Sequence, residues 1–478
     1  MAEPHLNNSL DFFMSPFSFN SLSQKPCRLL EMPYTPFSFR NIRTYKPTLV
    51  WLSISFLFAL CCVLPFYAQW VFELCGVVDI PPFLATLFGF LSIASVLFTP
   101  ANRRFSTGFF IGILWFYWVS LGMRYFDMGW FIPIVVILVG IFIGFVFYVG
   151  LWCECLIVRF VFLLILSYLT PLGFDWIILE SVFAYSYIGV DKLSFAFVIL
   201  ALWLLVKYQS WWKLLGIVCL ILALDFRTFA HTSLQPYQMQ GISTQIPQLY
   251  PEMSLKIKLI QSEVNQDIKY RIEQIHSIFE MYMQEVEQAI NEGYDVIVLP
   301  ESAFYVPIDM SNFTGFAPFE RFMDLSEDIV ILSGALREQF DRDTGEQLYF
   351  NSMFKFEDGK VSYYDKVLLV PFGEYLPSVL LPLVNLFFEG IGGFSSGEKF
   401  GYFDIKGVRF KNAICYEGTH REFYKDNPQY VIMISNNAWF VPSIEPILQK
   451  NLMKYYARIH KSTIFHATNR SHSAIITP

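Results

Sequence analysis

The sequence predicts two parts in one chain, a polytopic α-helical membrane domain followed by an α/β domain. Charged residues separate the two parts: residues 48–226 hold 15 charged side chains in 179 positions, and residues 227–478 hold 52 in 252. Soluble proteins average roughly 25% charged residues, so only the second part has a composition suited to water. The second part also alternates short apolar runs with amphipathic stretches, which is typical of layered α/β domains. The first part is therefore predicted to lie in a bilayer.

The first 47 residues are predicted to form a cytoplasmic N-terminal arm. They are too polar for a signal peptide, because the first long apolar run begins only near Leu49. Residues 48–226 are predicted to be a transmembrane domain of about seven helices, since a helix needs about 20 apolar residues to cross a bilayer. The predicted spans are Pro47–Phe72, Ile80–Asn102, Phe105–Met123, Gly129–Cys153, Phe160–Phe174, Leu193–Val206 and Trp211–Leu224.

Basic residues near the ends of these spans indicate how the chain faces the membrane. Ten lysines and arginines fall on the side of the N-terminus, against Arg124, Lys192 and Arg227 on the other side. Short loops rich in Lys and Arg stay in the cytoplasm, so the N-terminus is predicted to be cytoplasmic. An odd number of spans then places residues 227–478 on the extracytoplasmic side.

The charge of this second part excludes one class of partner. It carries 30 acidic and 22 basic side chains without a basic stripe, so we expect no nucleic-acid binding. We also expect no metal and no organic cofactor. His460, His466 and His472 are spaced six residues apart on different predicted elements, which is a poor arrangement for metal ligation.

Strands and helices are predicted along the second part in the order of a layered domain. Apolar runs predict strands at Leu255–Gln261, Asp295–Leu299, Ile329–Leu336, Tyr349–Phe356, Val408–Ile414, Tyr430–Ser435 and Thr463–Thr468. Helical periodicity predicts helices at Ile268–Glu292 and around Gln449–His460. Reactive groups in such sheets tend to lie where strands end, and three strand ends are of interest.

These ends hold Glu301 in DVIVLPES, Lys366 in YYDKVLLVPFGEYLP and Cys415 in VRFKNAICYEG. Each has a simpler interpretation on its own: a solvated loop carboxylate, a surface lysine, and a cysteine that fills the core. Together they supply a base for the thiol proton, a cation that stabilises thiolate and oxyanion, and a nucleophile. That set is sufficient for acyl transfer through a thioester.

The same residues resemble a known family. Glu301 in LPES, Lys366 in YDKVLLVPFGEYLP and Cys415 in ICYEG resemble the Glu–Lys–Cys triad of the nitrilase (carbon–nitrogen hydrolase) superfamily. PFGEYLP, CYEG and NNAWF (Asn436–Phe440) more narrowly resemble the apolipoprotein N-acyltransferases. The resemblance implies an α/β nitrilase-like domain, an αββα sandwich, in residues 227–478. It also implies a multi-pass protein of the bacterial inner membrane with its catalytic domain on the periplasmic side.

The resemblance further implies a reaction and its partners. Such enzymes take an acyl chain from a membrane phospholipid, usually phosphatidylethanolamine, and pass it to the α-amine of the diacylglyceryl-cysteine of an apolipoprotein. On this interpretation Cys415 is the nucleophile that carries the thioester, Glu301 is the general base, and Lys366 supports the oxyanion. Supporting residues of the active site are expected at Glu374, Tyr416, Glu417 and Asn351.

An apolar segment, Ser378–Phe394, interrupts the otherwise soluble second part. It is either an ordinary core helix or a mobile arm that dips into lipid and guards the entrance to the site. The second interpretation predicts a set of lipid-facing side chains, namely Leu380, Leu381, Leu386, Phe387 and Phe388.

The chain departs from the family pattern in places. Val441, followed by PSIEP, stands where a glycine is usual, and members usually continue beyond the position of Pro478 with one more membrane helix. Two other functions stay open at this point. One is a membrane-tethered amidase that gives the acyl group to water, and the other is a non-enzymatic assembly protein with a degenerate nitrilase domain.

Overall fold

The computed structural model describes residues 47–226, 255–269, 271–310, 317–371, 373–375 and 393–478. A helical part comes first, and a part built on two β-sheets follows it. The predicted lipid-facing side chains Leu380, Leu381, Leu386, Phe387 and Phe388 lie outside the described residues.

The described residues 47–226 form seven α-helices. They are α1 (Pro47–Leu74), α2 (Pro82–Leu97), α3 (Arg104–Phe116), α4 (Ile132–Gly150), α5 (Leu156–Ile165), α6 (Lys192–Lys207) and α7 (Trp211–Leu222). Among the described residues, three continuous helical stretches are long and apolar enough to cross a membrane: Leu49–Leu74, Arg104–Phe126 and Gly129–Gly150. The other helices are shorter, so seven crossings stay a prediction.

The structure corrects one predicted span. The helix expected over Phe160–Phe174 ends at Ile165, and short 3-10 turns replace it. Pro171 has no N–H to donate, and Gly173 has a φ of 86°, so a helix cannot continue there. The segment after Gly173 is buried instead against the sheet-containing part, where Trp176 Nε1 donates to Thr419 Oγ1 at 2.8 Å.

Two six-stranded sheets form the second part within the residues that the structure describes. The first sheet, in spatial order, is β1 (Ile257–Leu259), β3 (Val296–Val298), β5 (Val330–Phe340), β6 (Gln347–Glu357) and β7 (Lys360–Asp365), with β4 (Phe304–Asp309) beside β5. The second sheet is β12 (Ala474–Ile476), β11 (Thr463–Asn469), β10 (Tyr430–Asn436), β9 (Val408–Ile414) and β8 (Tyr402–Ile405), with β2 (Gln261–Ser262) beside β11. Strands β1, β3 and β5 are parallel to one another, as are β9, β10, β11 and β2.

The sheets are the inner layers of a four-layer sandwich. Their facing sides share one apolar core, in which Val298 and Leu332 of the first sheet belong with Ile432 and Phe465 of the second. Helices α8 (Ile272–Asn291) and α9 (Ala317–Leu325) cover the outer face of the first sheet. Helix α10 (Glu445–His460) covers the outer face of the second. The prediction of a membrane domain followed by an αββα sandwich is therefore confirmed.

The strands that the sequence pattern failed to predict lie at the edges of the sheets or beside their main path. Strands β7, β8 and β12 lie at sheet edges, and β4 lies beside the main path of its sheet. An edge strand pairs on one side, and β7 has one fully buried side chain, Tyr364, among exposed and half-buried ones. Its sequence therefore lacks the apolar alternation by which strands are recognised. The short helix α9 was missed as well.

Helix α10 joins the two parts of the molecule. On its membrane-facing side, Arg458 Nη1 donates to Phe183 O at 2.9 Å, and Asn451 Nδ2 donates to Ser181 O at 2.9 Å. Lys450 Nζ lies 3.1 Å from Asp79 Oδ1. The helix therefore packs on the second sheet with one face and on the membrane helices with the other.

Candidate active site

The ends of the parallel strands bring the three predicted triad residues together. Glu301 follows β3, Cys415 follows β9, and Lys366 follows β7 directly. Lys366 Nζ lies 3.8 Å from Glu301 Oε1, and electrostatic interactions link Cys415 to both. The carboxyl ends of parallel strands lie at the same edge of a sheet, so packing two such sheets face to face gathers the three side chains.

Glu301 is held from several sides in a buried position. Its Oε1 accepts from Asn351 Nδ2 at 2.7 Å, and its Oε2 accepts from the backbone N–H of Asn436 at 2.8 Å, across from the other sheet. Burial raises the pKa of Glu301, although Lys366 opposes that rise. A carboxylate with a raised pKa is a stronger proton acceptor, as a general base requires.

A glycine makes room for Glu301. A Cβ on Gly334 in β5 would lie 2.6 Å from Glu301 Cα and 2.7 Å from Ser302 N. Real Cβ atoms do not approach other atoms that closely, so only glycine fits where the Glu301 loop crosses β5.

Lys366 is enclosed between two carboxylates, with 1% of its surface exposed. Its Nζ lies 2.7 Å from Glu374 Oε2, and Asn351 Nδ2 also donates to Glu374 Oε1 at 2.8 Å. Burial alone would lower the pKa of Lys366, but Glu374 and Glu301 more than offset it and raise that pKa. Lys366 is therefore a permanent cation, and Asn351 bridges the two carboxylates beside it.

Cys415 begins a single 3-10 turn (Cys415–Thr419) directly after β9 and has a φ of 53°. A residue with a left-handed backbone conformation between a strand and a helix turns its side chain out of the sheet, as in the nucleophile elbow of α/β-hydrolases. Its Sγ accepts from Gln449 Nε2 at 3.6 Å. Burial raises the pKa of the thiol well above its usual value, Glu301 adds to this, and Lys366 opposes it. The resting cysteine is a thiol that needs a base.

Glu417 stabilises backbone rather than contacting Lys366. Its Oε2 accepts from the N–H of Ile414 at 2.8 Å, and its Oε1 accepts from the N–H of Val367 at 2.7 Å and from Tyr364 OH at 2.8 Å. Burial raises the pKa of Glu417 to about 7, although these bonds oppose the rise. This carboxyl ties the turn that carries Cys415 to the loop that carries Lys366.

Tyr416 points away from the triad and toward the membrane helices. Its ring stacks on Phe174 with a centroid distance of 5.8 Å, its hydroxyl donates to Gly173 O at 3.1 Å, and the hydroxyl accepts from Asp175 N at 3.2 Å. Tyr416 therefore fixes the turn that begins at Cys415 on the membrane part.

Sequence reasoning missed several side chains of the site. Gln449 contacts Cys415, and Lys269 Nζ donates to Glu301 O at 3.5 Å. Burial lowers the pKa of Lys269 to about 7. Glu445 is buried and interacts electrostatically with Cys415. Helix α10 was expected around Gln449–His460 and begins four residues earlier, at Glu445, so Glu445 lay outside the predicted helix.

The geometry allows one kind of chemistry in particular. Base and cation are buried beside a half-buried thiol, a set that can form and resolve an acyl thioester. Among the described residues, no three His, Cys, Asp or Glu side chains are grouped so that they could hold a metal ion.

Comparison with known proteins assigns the chain to a family. Residues 49–226 match the apolipoprotein N-acyltransferase integral membrane domain, and residues 259–461 match the carbon–nitrogen hydrolase domain. The apolipoprotein N-acyltransferase of Helicobacter hepaticus is 64% identical over 416 residues, which cover 87% of this chain and 99% of the relative. The apolipoprotein N-acyltransferase of Wolinella succinogenes is 36% identical over 404 residues, which cover 83% of this chain and 90% of the relative.

A solved carbon–nitrogen hydrolase superfamily protein of Xanthomonas campestris is 15% identical with a TM-score of 0.35, covering 47% of this chain and 82% of its own. That likeness is too weak to add to the assignment. The relatives and the two domain matches suffice. The family resemblance expected from the sequence is thus confirmed: this membrane protein belongs to the apolipoprotein N-acyltransferase family.

Proposed function

We propose that the protein is a phospholipid-dependent N-acyltransferase that carries out the last step of lipoprotein maturation. It moves an acyl chain from a phospholipid such as phosphatidylethanolamine, through a thioester on Cys415, to the α-amine of a diacylated apolipoprotein. The names of the relatives support this assignment, and the buried cluster of Cys415, Glu301 and Lys366 carries the mechanism.

In the first half-reaction Glu301 accepts the thiol proton of Cys415, and the thiolate attacks the ester carbonyl of the phospholipid. The carbon–sulfur bond forms, and Lys366 stabilises the oxyanion. The carbon–oxygen bond to the glycerol then breaks, and Glu301 returns the proton to the leaving oxygen as a lysophospholipid departs.

In the second half-reaction the amine of the acceptor attacks the thioester carbonyl. An amide bond forms, the carbon–sulfur bond breaks, and Glu301 passes a proton from the nitrogen to the sulfur. Lys366 again faces the oxyanion. Glu374 and Asn351 are positioning residues for Lys366 and Glu301, as their hydrogen bonds indicate.

Both substrates are lipids, so the site must open at the bilayer. Contacts between the two parts of the chain support that placement. Arg124 Nη2, at the end of the helical stretch Arg104–Phe126, donates to Trp439 O at 3.1 Å and to Val441 O at 2.6 Å. Tyr125 OH donates to Ala438 O at 2.9 Å. We place residues 227–478 on the periplasmic side of a bacterial inner membrane, in keeping with the distribution of basic residues.

The test is intact mass of the purified protein after incubation with phospholipid. We expect a fatty-acyl increment that is absent in Cys415→Ala and retained in Cys75→Ala, since Cys75 is an exposed cysteine far along the chain from the site. A diacylated lipopeptide should discharge the increment, and water should not.

Two other results would change the assignment. Discharge by water alone would identify a membrane-tethered hydrolase. A wild-type protein that takes up no acyl group, or a Cys415→Ser variant that keeps full activity, would overturn the thioester mechanism.

A further inference from the structure

Glu445 is a buried carboxyl that the mechanism above does not use. It lies at the first turn of α10 with 1% of its surface exposed, and within the described residues its Oε2 has no hydrogen-bond partner. A buried carboxylate oxygen left unpaired is costly. A sequence rarely retains such a group without a role for it.

Helical geometry directs this carboxyl into the site. Gln449, whose Nε2 reaches Cys415 Sγ, lies one turn further along α10, and residues four apart share one face of a helix. The charge of Glu445 acts on Cys415, and that of Glu301 acts on Glu445. Glu445 therefore faces the space between the nucleophile and the base.

Several other titratable groups lie around α10. On elements packed against it they are Glu73, Glu180, Cys415, Tyr416, Glu417, Arg421, Glu422, Tyr424 and His466, and Asp79 and Asp225 pair with Lys450 and Arg458; on α10 itself they are Lys450, Lys454, Tyr455, Tyr456, Arg458 and His460. The charge that acts on Glu445 is that of Glu301. Burial and Glu301 raise the pKa of Glu445 to about 8, so the carboxyl is mostly neutral while the uncharged ester reacts.

The second half-reaction needs a second proton acceptor, and this carboxyl can be that acceptor. The α-amine of a peptide has a pKa of about 7.7–8.0, so it arrives mostly as an ammonium, which cannot attack a carbonyl. Transfer to the thioester removes two protons from that nitrogen. Glu301 returns one of them to the sulfur, and the other needs a second acceptor.

We propose that Glu445 pairs with the α-ammonium of the acceptor and takes its first proton, a role that rests on the acyl transfer proposed above. The positive charge of the incoming ammonium favours the ionised form of Glu445, so Glu445 releases its own proton to water. The carboxylate then removes one proton from the ammonium and is neutral again. The neutral amine then attacks the carbonyl carbon, the carbon–sulfur bond breaks, and the second proton passes through Glu301 to Cys415. Ammonium and thioester thus become amide, thiol and one free proton.

The experiment separates the half-reactions in the full-length protein. Wild-type protein and Glu445→Gln are acylated with phospholipid, freed of donor and mixed with subsaturating acceptor, and the remaining thioester is followed by intact mass. One acceptor is a diacylated lipopeptide at pH 7 and pH 9.5. The matched acceptor is hydroxylamine, which is uncharged at neutral pH and needs no counter-ion.

Both proteins are compared from the acylated state, so their rates of acylation do not enter the comparison. We expect the lipopeptide to discharge acylated Glu445→Gln about tenfold more slowly than the acylated wild-type protein at pH 7, the loss expected of one charge-assisted hydrogen bond. The discharge rates of the two proteins with the lipopeptide should become equal at pH 9.5. Hydroxylamine should discharge both proteins at the same rate. Glu445→Asp, which keeps a carboxyl, should recover part of the rate.

Equal discharge of both proteins by the lipopeptide at pH 7 would overturn the role of Glu445. So would a variant that is equally slow with hydroxylamine, because that result indicates a structural defect. If the lipopeptide fails to discharge the wild-type thioester, the proposed function itself is wrong, and the two failures are thereby distinguished.

Discussion

Substituting Gly334 by alanine tests whether close backbone approach positions Glu301, the proposed general base. The new Cβ would lie 2.6 Å from Glu301 Cα, 2.7 Å from Ser302 N and 2.8 Å from Pro300 O. All three are backbone atoms, so no side chain can turn aside. Carbon atoms in contact lie about 3.5–4.0 Å apart, so either β5 or the Glu301 loop must move by about 1 Å.

That displacement is enough to break a hydrogen bond that holds Glu301. Glu301 Oε2 accepts from Asn436 N at 2.8 Å, and about 1 Å more exceeds the normal hydrogen-bond length of about 3.2 Å. Misplacing a reacting group by about 1 Å lowers rates by about 10²-fold. We therefore expect Gly334→Ala to acylate about a hundredfold more slowly, with overpacking lowering the free energy of unfolding by about 1–3 kcal/mol.

The assay is single-turnover acylation by phospholipid, read by intact mass. Gly129→Ala is the matched control, because a Cβ at Gly129 would meet nothing within 4 Å, and its rate should equal that of the wild-type protein. Acylation of Gly334→Ala within threefold of wild type would refute the argument that this glycine positions Glu301.

Substitutions at Lys366, Glu417 and Tyr416 probe the cation beside Glu301, the carboxyl between the Cys415 turn and the Lys366 loop, and the contact with the membrane part. Lys366→Met should slow acylation by about 10²–10³-fold in the same assay, because the oxyanion loses its charged partner; an unchanged rate would contradict that role. Glu417 has its pKa raised from 4.5 to about 7, so the folded protein keeps a proton that the unfolded chain releases. Stability from this group is therefore present at low pH and lost as pH rises from 4.5 through 7, by about 3 kcal/mol. Denaturation at pH 5 and pH 7.5 should show this decline in the wild-type protein, with a smaller decline in Glu417→Gln, and parallel curves would refute it. Tyr416→Phe keeps the stack on Phe174 and loses the hydroxyl bonds, so thermal unfolding should report a loss of about 1 kcal/mol, and Tyr416→Ala a larger one; equal melting of the two variants would exclude the ring contact as a source of stability.

Particular residues show why some of the fold was predictable. Strand β10 was predicted within one residue of its bounds, because a strand buried on both faces is a nearly continuous apolar run. Strand β9 was predicted with the bounds that the structure has, although Arg409, Lys411 and Asn412 interrupt its apolar run. Edge strand β7 was missed because most of its side chains face water. The apolar run Phe160–Phe174 was predicted as one membrane helix, yet the helix ends at Ile165, and Tyr168 and Leu172 in the turns that follow are exposed. Apolar composition alone does not determine where a helix ends.

For the candidate site, too, the sequence predicted some features and not others. Glu301, Lys366 and Cys415 could be named because their residue types at strand ends form a chemical set and a recognisable motif. The roles of Tyr416 and Glu417 could not be predicted. They sit next to the nucleophile in sequence, but one bonds to the membrane part and the other to the backbone of the Lys366 loop.

By itself, the sequence determined the division of the chain into a membrane part and an α/β part, the strands of the sheet interiors and the family. It also put forward Glu301, Lys366 and Cys415 as a triad, which stays a prediction. These features depend on local composition, periodicity and motif, which are properties of the chain read in order. Only the tertiary structure decided that Glu374 and Glu301 enclose Lys366, that Gly334 makes room for Glu301, and that α10 brings Gln449 to the thiol with Glu445 one turn away. These contacts join residues from different sheets and helices, and their distances follow from how whole layers pack.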